Sequence, residues 1–345
     1  MSTGLVAWGA GLVDVNDDGR LDAVTMNRVF DAAYPGSISV LDGHPGAVFG
    51  GGGVTISAPW GALSVSGADL DSDGLADLAM TTTDGCEGFR TSTITTRLGN
   101  GDATFGAPVT LNTGFFLCPR AMAIGKFNAD PLADVAVTAM STAGASVRSG
   151  TGGGAFGGAT LYGGEPNADD VTAHDVDANG TLDLVLCDAL GVSVLSGNGA
   201  GGFGARITSP AGASPKNARM ADMDANGLRD AVVVNSSEDA LSVLPGAGGG
   251  AFGARIVVAT GDHPNGLDIG ELTGDANPDL AVSCSDGTVR VHENLGGLNF
   301  GAGTVIGVAA NPTYLQIADI NGDGMADILT ADSESATVSL FLGNG

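Results

Sequence analysis

The sequence predicts an all-β fold: a seven-bladed β-propeller of four-stranded antiparallel blades, with the last blade one strand short. Three observations carry this. A nine-residue acidic pattern recurs seven times along the chain. Six of the seven copies are followed, after an apolar run, by a Gly-rich turn and a Phe. No stretch sustains the 3.6-residue apolar period of a helix.

The pattern is D-x-[DN]-x-[DN]-G-x-x-D. It reads DVNDDGRLD at Asp14–Asp22, DLDSDGLAD at Asp69–Asp77, DVDANGTLD at Asp175–Asp183, DMDANGLRD at Asp222–Asp230 and DINGDGMAD at Asp319–Asp327. Two degenerate copies, KFNADPLAD at Lys126–Asp134 and ELTGDANPD at Glu271–Asp279, fill the gaps. Successive copies start 55, 57, 49, 47, 49 and 48 residues apart. The seven units place blades at about 1–57, 58–113, 114–163, 164–211, 212–260, 261–309 and 310–345, as a single domain.

Within a unit, strand 1 precedes the acidic pattern and strand 2 follows it at once (DLVLC, DAVVV, DLAVS). Strand 3 is the SVL segment, and strand 4 follows the Phe. Alternating apolar runs punctuated by such turns are hairpin signals. A four-stranded unit of this length is a propeller blade, because a β-helix coil is shorter. The seventh unit stops at SLFLGNG, after strand 3. The 58 glycines of the 345 residues fall at fixed places in the repeat, so they mark turns rather than low complexity.

The spacing of the acids has a chemical reason. Ca²⁺ takes 6–8 oxygens at about 2.3–2.6 Å. Side chains at positions 1, 3 and 5 of a tight loop converge on one ion, position 7 offers its carbonyl, and the Asp at position 9 completes the shell. The predicted ligands are therefore Asp14, Asn16, Asp18, Arg20 and Asp22 in blade 1, and Asp69, Asp71, Asp73, Leu75 and Asp77 in blade 2. Blade 4 contributes Asp175, Asp177, Asn179, Thr181 and Asp183; blade 5 contributes Asp222, Asp224, Asn226, Leu228 and Asp230. Blade 7 contributes Asp319, Asn321, Asp323, Met325 and Asp327. An EF-hand closes its loop with Glu at position 12 on a helix, whereas strand residues follow position 9 here, which excludes that reading. In blade 3, Lys126 replaces the first Asp and Pro131 the Gly, and the Lys ammonium is expected to stand in for an ion. In blade 6, Glu271, Thr273, Asp275, Asn277 and Asp279 form a set expected to bind weakly or not at all. The seven copies hold 22 of the 39 acidic residues, so the net charge of −26 is largely metal-site acidity. Five bound Ca²⁺ would reduce it to −16.

These residues resemble the FG-GAP/VCBS-type repeats, the blade type of the integrin α-subunit head and of some fungal and bacterial lectins. The resemblance spans all seven units. It implies a seven-bladed propeller with Ca²⁺ in the strand 1–2 hairpin of most blades. Members of the family serve adhesion, glycan binding or scaffolding, and some accompany catalytic domains.

The acid excess argues against nucleic acid and anionic membrane as partners. No apolar run reaches the length of a membrane helix, so no membrane insertion is expected. The opening MSTGLVAWGAGL lacks the basic start of a signal peptide. His44, His174, His263 and His292 lie in different units, and no nucleophile, zinc or phosphate-loop motif accompanies them. The expectation is a non-catalytic protein, secreted or at the cell surface, that binds a glycan or a protein surface. A scaffold module of a larger surface protein and a polysaccharide-active enzyme are the alternatives.

Propeller geometry places the strand 2–3 and 4–1 loops on the face opposite the metal hairpins. The 2–3 loops are longest in the first two units and hold Arg28, Phe30, Tyr34, Phe89 and Arg90. Neighbouring 4–1 loops hold Trp60, Phe115, Phe116 and Arg120. Exposed aromatics with Arg anchor partners and stack on sugars; the competing reading is that these rings wedge between blades. Cys86 and Cys118 fall in adjacent loops of this face, and a disulfide between them is expected in an oxidising compartment. Cys187 and Cys284 end second strands of non-adjacent blades and are expected to be unpaired.

Overall fold

The run after each acidic pattern is rich in Val, Leu, Ile and Ala, residues that favour a pleated strand buried on both faces. In a computed structural model, which describes residues 7–27, 36–44, 48–49, 53–58, 61–83, 92–114, 119–139, 143–166, 168–308, 311–335 and 337–344, each of these runs is a strand. They are Asp22–Asn27, Asp77–Thr83, Asp134–Ala139, Asp183–Asp188, Asp230–Asn235, Asp279–Cys284 and Asp327–Asp332. Every residue in all seven is buried. Two-sided burial arises because each strand lies between the sheets of the blades before and after it.

Among the described residues there is no helix. Six antiparallel sheets of four strands and one of three follow one another along the chain. The seventh, Pro312–Ala318, Asp327–Asp332 and Thr337–Phe341, has three strands. The first strands are Ala7–Val13, Ala62–Ala68, Pro119–Gly125, Asp170–His174, Pro215–Ala221, Pro264–Gly270 and Pro312–Ala318. Each contacts the first strand of the next blade, and the first meets the seventh, so the seven ring a central axis.

An apolar cluster fills every interface between neighbouring blades. The closing interface packs Ala23, Leu41 and Phe49 of blade 1 against Ile320 and Leu329 of blade 7. There the Leu12 amide donates to Gln316 Oε1 at 3.1 Å. The three-stranded blade therefore closes the ring through its faces, with burial of roughly 1.5–3 kcal/mol per large side chain holding it. The Phe after each Gly-rich turn serves the same end. Phe203 of blade 4, for example, meets Phe127 of blade 3 edge-on, with ring centroids 5.5 Å apart.

Candidate metal centres

The acidic loops all join strand 1 to strand 2 and so crowd one face of the ring. Their shape begins with short side chains bonding nearby amides, which winds the loop locally. In blade 4, Asp175 accepts from the Asn179 and Gly180 amides at 3.1 and 2.8 Å. Asp177 accepts from Asn179 at 3.1 Å, and Asn179 from Thr181 at 2.8 Å. Blade 5 repeats the set through Asp222, Asp224 and Asn226. Position 6 has φ of +82, +91, +85, +86 and +87° at Gly19, Gly74, Gly180, Gly227 and Gly324, a region open to Gly at little cost. Blade 6 places Ala276 there at +70°, a strained position for a side chain.

Position 9 behaves identically in all seven blades. Asp22, Asp77, Asp134, Asp183, Asp230, Asp279 and Asp327 are fully buried. Each Oδ2 accepts from the amide of position 2 in its own loop, at 2.7–3.0 Å. Each Oδ1 accepts from the amide that opens the turn after strand 3, at 2.7–2.9 Å. One carboxylate thus ties the acidic loop to the strand 3–4 turn. Because the degenerate blades 3 and 6 keep it, this tie is independent of metal.

Positions 1 and 3 bring further carboxylates to the same point. One oxygen from each of Asp69, Asp71 and Asp77 lies within 4.8 Å of the others, and so do those of Asp175, Asp177 and Asp183, and of Asp222, Asp224 and Asp230. In blades 1 and 7 position 3 is Asn16 or Asn321, so its oxygen is an amide carbonyl. Burial raises the Asp22 carboxyl above its ordinary value, and Asp42, which lies outside the pattern but near the blade 1 loop, adds to the rise. It follows strand 3, where no other blade has Asp, and position within the acidic pattern did not point to it.

Burial first, then neighbouring carboxylates, hold the carboxyls of Asp77, Asp183 and Asp230 above their ordinary value, against the pull of the two amide donors. Asp71 Oδ1 is buried with no hydrogen-bond partner. A hard divalent cation answers all of these at once, and the all-oxygen donor set suits Ca²⁺.

The degenerate loops solve the same problem with a donor. In blade 3 the Asn128 amide nitrogen points to Asp134 Oδ1 at 3.4 Å. In blade 6 the Thr273 hydroxyl donates to Asp279 Oδ2 at 3.1 Å. Lys126 is exposed and makes no ion pair among the described residues, so its ammonium does not stand in for an ion there.

Of the residues expected on the opposite face, Phe30, Tyr34, Trp60, Phe89, Arg90, Phe115 and Phe116 lie outside the described residues, as do Arg28, Cys86 and Cys118. Arg120 opens the first strand of blade 3 and pairs with Asp169 of blade 4. Cys187 and Cys284 are buried free thiols, and burial pushes Cys284 up to about 11. His292 is buried with Nδ1 3.1 Å from the Gly301 carbonyl. His174 packs beside the axis, where burial, Arg229 and Arg219 lower it to about 4.

Residues 272–330 match the family model of the FG-GAP-like repeat. Among curated proteins none matches the chain at a significant level. The fold is similar to that of an Agrocybe aegerita lectin whose structure describes recognition of non-reducing terminal N-acetylglucosamine, with TM-score 0.64, 18% identity, 98% of this chain and 86% of that one. It is similar to BBS1N, solved in complex with ARL6DN, with TM-score 0.66, 14% identity, 99% and 94%. The Vibrio cholerae biofilm matrix protein Bap1 follows at TM-score 0.52, 12% identity, 100% and 89%.

Proposed function

We propose that this chain, an FG-GAP-type repeat β-propeller, is a non-catalytic glycan-binding module that works outside the cell, with structural Ca²⁺ in its strand 1–2 loops. The observation that carries the calcium reading is the convergence of three carboxylates in each of blades 2, 4 and 5, with one oxygen orphaned in the first of them. Asp69, Asp71 and Asp77 and their counterparts would hold the ion, with Asn16 and Asn321 supplying amide oxygens in blades 1 and 7. Bound Ca²⁺ supplies charge neutralisation and a cross-link across the loop. The chain's own residues do the rest: position 9 anchors the loop, and its amides fix the position 1 carboxylate.

Glycan binding takes its support from the lectin similarity and from the separation of the metal face from the opposite face. Docking of a protein surface is the second reading, favoured by the likeness to BBS1N in its complex. A glycan array probed in calcium tests the first. Selective glycan signals are expected; cleavage of a polysaccharide by the purified chain would replace this reading with an enzymatic one.

The extracellular placement has its own test. Mass spectrometry of unreduced protein is expected to find Cys86 linked to Cys118. Two free thiols there would contradict an oxidising compartment.

The response to pH carries a sign. Carboxyls whose folded pKa is raised bind protons more tightly when folded, so without calcium their contribution to stability improves as pH falls from 7 toward those raised values. Bound calcium requires the ionised carboxylates, so it is displaced over the same fall. The gap in melting temperature between calcium-loaded and calcium-free protein is therefore expected to close as pH drops toward 4. The contribution of His174 is common to both curves and cancels in the gap. A gap independent of pH would contradict carboxylate ligation.

A further inference from the structure

The rim of blade 7 departs from that of the other six. Its third strand, Thr337–Phe341, pairs with Asp327–Asp332 on its inner side and, among the described residues, with no strand on its outer side. All five of its residues are half-buried. Beneath a fourth strand, four of the five are buried in blade 1 and all five in blade 5. Val338 and Leu340 pack partly into the closing interface with blade 1, and Phe341 partly into the interface with blade 6. The strand reads T-V-S-L-F, with no charge and no Pro to blunt an open edge.

The complete blades show what chemistry covers such a strand. In blade 1, Val54, Thr55 and Ile56 lie opposite Val40, Ser39 and Ile38. In blade 2, Val109, Thr110 and Leu111 lie opposite Thr96, Thr95 and Ile94. The covering strand thus runs β-branched, hydroxyl, aliphatic, and its aliphatic residue packs toward a neighbouring blade. Pairing with strand 2 makes Leu340, Ser339 and Val338 the counterparts of Val40, Ser39 and Ile38. The covering pattern is also present in this edge strand itself, as Val338, Ser339 and Leu340. Two such strands, antiparallel about Ser339, set Val338 opposite Leu340, Ser339 opposite Ser339 and Leu340 opposite Val338. Each then receives the residue types that Val54, Thr55 and Ile56 supply in blade 1.

We infer that a second copy of this chain completes blade 7, by antiparallel pairing of Thr337–Phe341 with itself across a two-fold axis at Ser339. The inference is independent of the glycan-binding reading. Blades 6 and 1 diverge from blade 7 around the ring, so a second ring approaching this rim does not meet them first. The geometry has a consequence for function. Strand 3 runs toward the metal face, and its twin runs the other way. The two rings therefore lie side by side with one turned over, and their faces opposite the metal loops point in opposite directions. Such a dimer bridges two surfaces instead of gripping one twice.

Sedimentation velocity of the full chain in calcium, from about 1 to 100 µM, is the first test. One strand pair makes a small interface, so the mass is expected to rise with concentration toward that of two chains. Cross-linking then tests the register. Residues directly opposite across an antiparallel pair have Cβ atoms about 4.5–5.5 Å apart, close to the roughly 3.5–4.5 Å of a disulfide. Ser339→Cys is therefore expected to form an interchain disulfide under mild oxidation, at least tenfold faster than Thr337→Cys, which lies opposite Phe341 of the second copy. Non-reducing gels of both variants beside the parent chain read this ratio. A monomer at every concentration would overturn the proposal and leave the edge to a strand of another protein. A dimer in which Thr337→Cys cross-links as fast as Ser339→Cys would overturn it too, by placing the contact elsewhere.

Discussion

Stripping calcium lowers the melting temperature by on the order of 10 °C. The size follows from mass action: each site filled at about a hundred times its dissociation constant adds roughly 2.7 kcal/mol. Three such loops give ~8 kcal/mol and the five expected ions ~14 kcal/mol, and a chain of 345 residues unfolds with about 0.7 kcal/mol per degree of entropy near its midpoint, which brings the shift to roughly 10–20 °C. Asp71→Ala, Asp177→Ala and Asp224→Ala together are expected to remove about three fifths of this shift, since three of about five ions are lost. The same triple variant without calcium should melt no lower than the calcium-free parent, because it removes carboxylates from repelling clusters. Melting curves in calcium and in EGTA, for parent and triple variant, check both halves. A calcium-free triple variant that melts far below the parent would mean that position 3 holds the fold rather than the ion.

Asp134→Ala destabilises the chain equally with and without calcium. Blade 3 has Lys126 where the strong loops have their first Asp, yet Asp134 keeps the same two amide bonds as its six counterparts. Its removal leaves the Phe127 and Gly150 amides without their acceptor in a buried site. Bonds to a charged acceptor are worth about 1.5–3 kcal/mol each, so the expected cost is ~3–5 kcal/mol. Asp134→Asn keeps one acceptor oxygen but turns an NH₂ toward the other amide, so it recovers only part of the loss. Chemical denaturation in calcium and in EGTA decides: a cost that vanishes in EGTA would show that Asp134 acts through an ion.

Much of the architecture was legible because a propeller repeats its local chemistry. The spacing of the acidic pattern located the loops, the seven blades and the short seventh one. Ring closure was not legible, since it rests on Phe49 and Leu41 meeting Ile320 and Leu329 from the far end of the chain, a packing with no local signature. The double role of position 9 was hidden for another reason. An Asp that ligates and an Asp that ties two turns look alike in sequence, and only its persistence in KFNADPLAD and ELTGDANPD hinted at the second role. Lys126 misled because its charge suggested a substitute cation, whereas it is exposed and makes no ion pair among the described residues.

The proposed function stands on calcium held in the intact acidic loops. Counting bound Ca²⁺ per chain by elemental analysis, after dialysis against micromolar calcium, tests it most directly. About five ions per chain are expected, reduced by about three in the Asp71→Ala, Asp177→Ala, Asp224→Ala variant. A folded chain that retains no calcium, or a variant that retains as much as the parent, would contradict it.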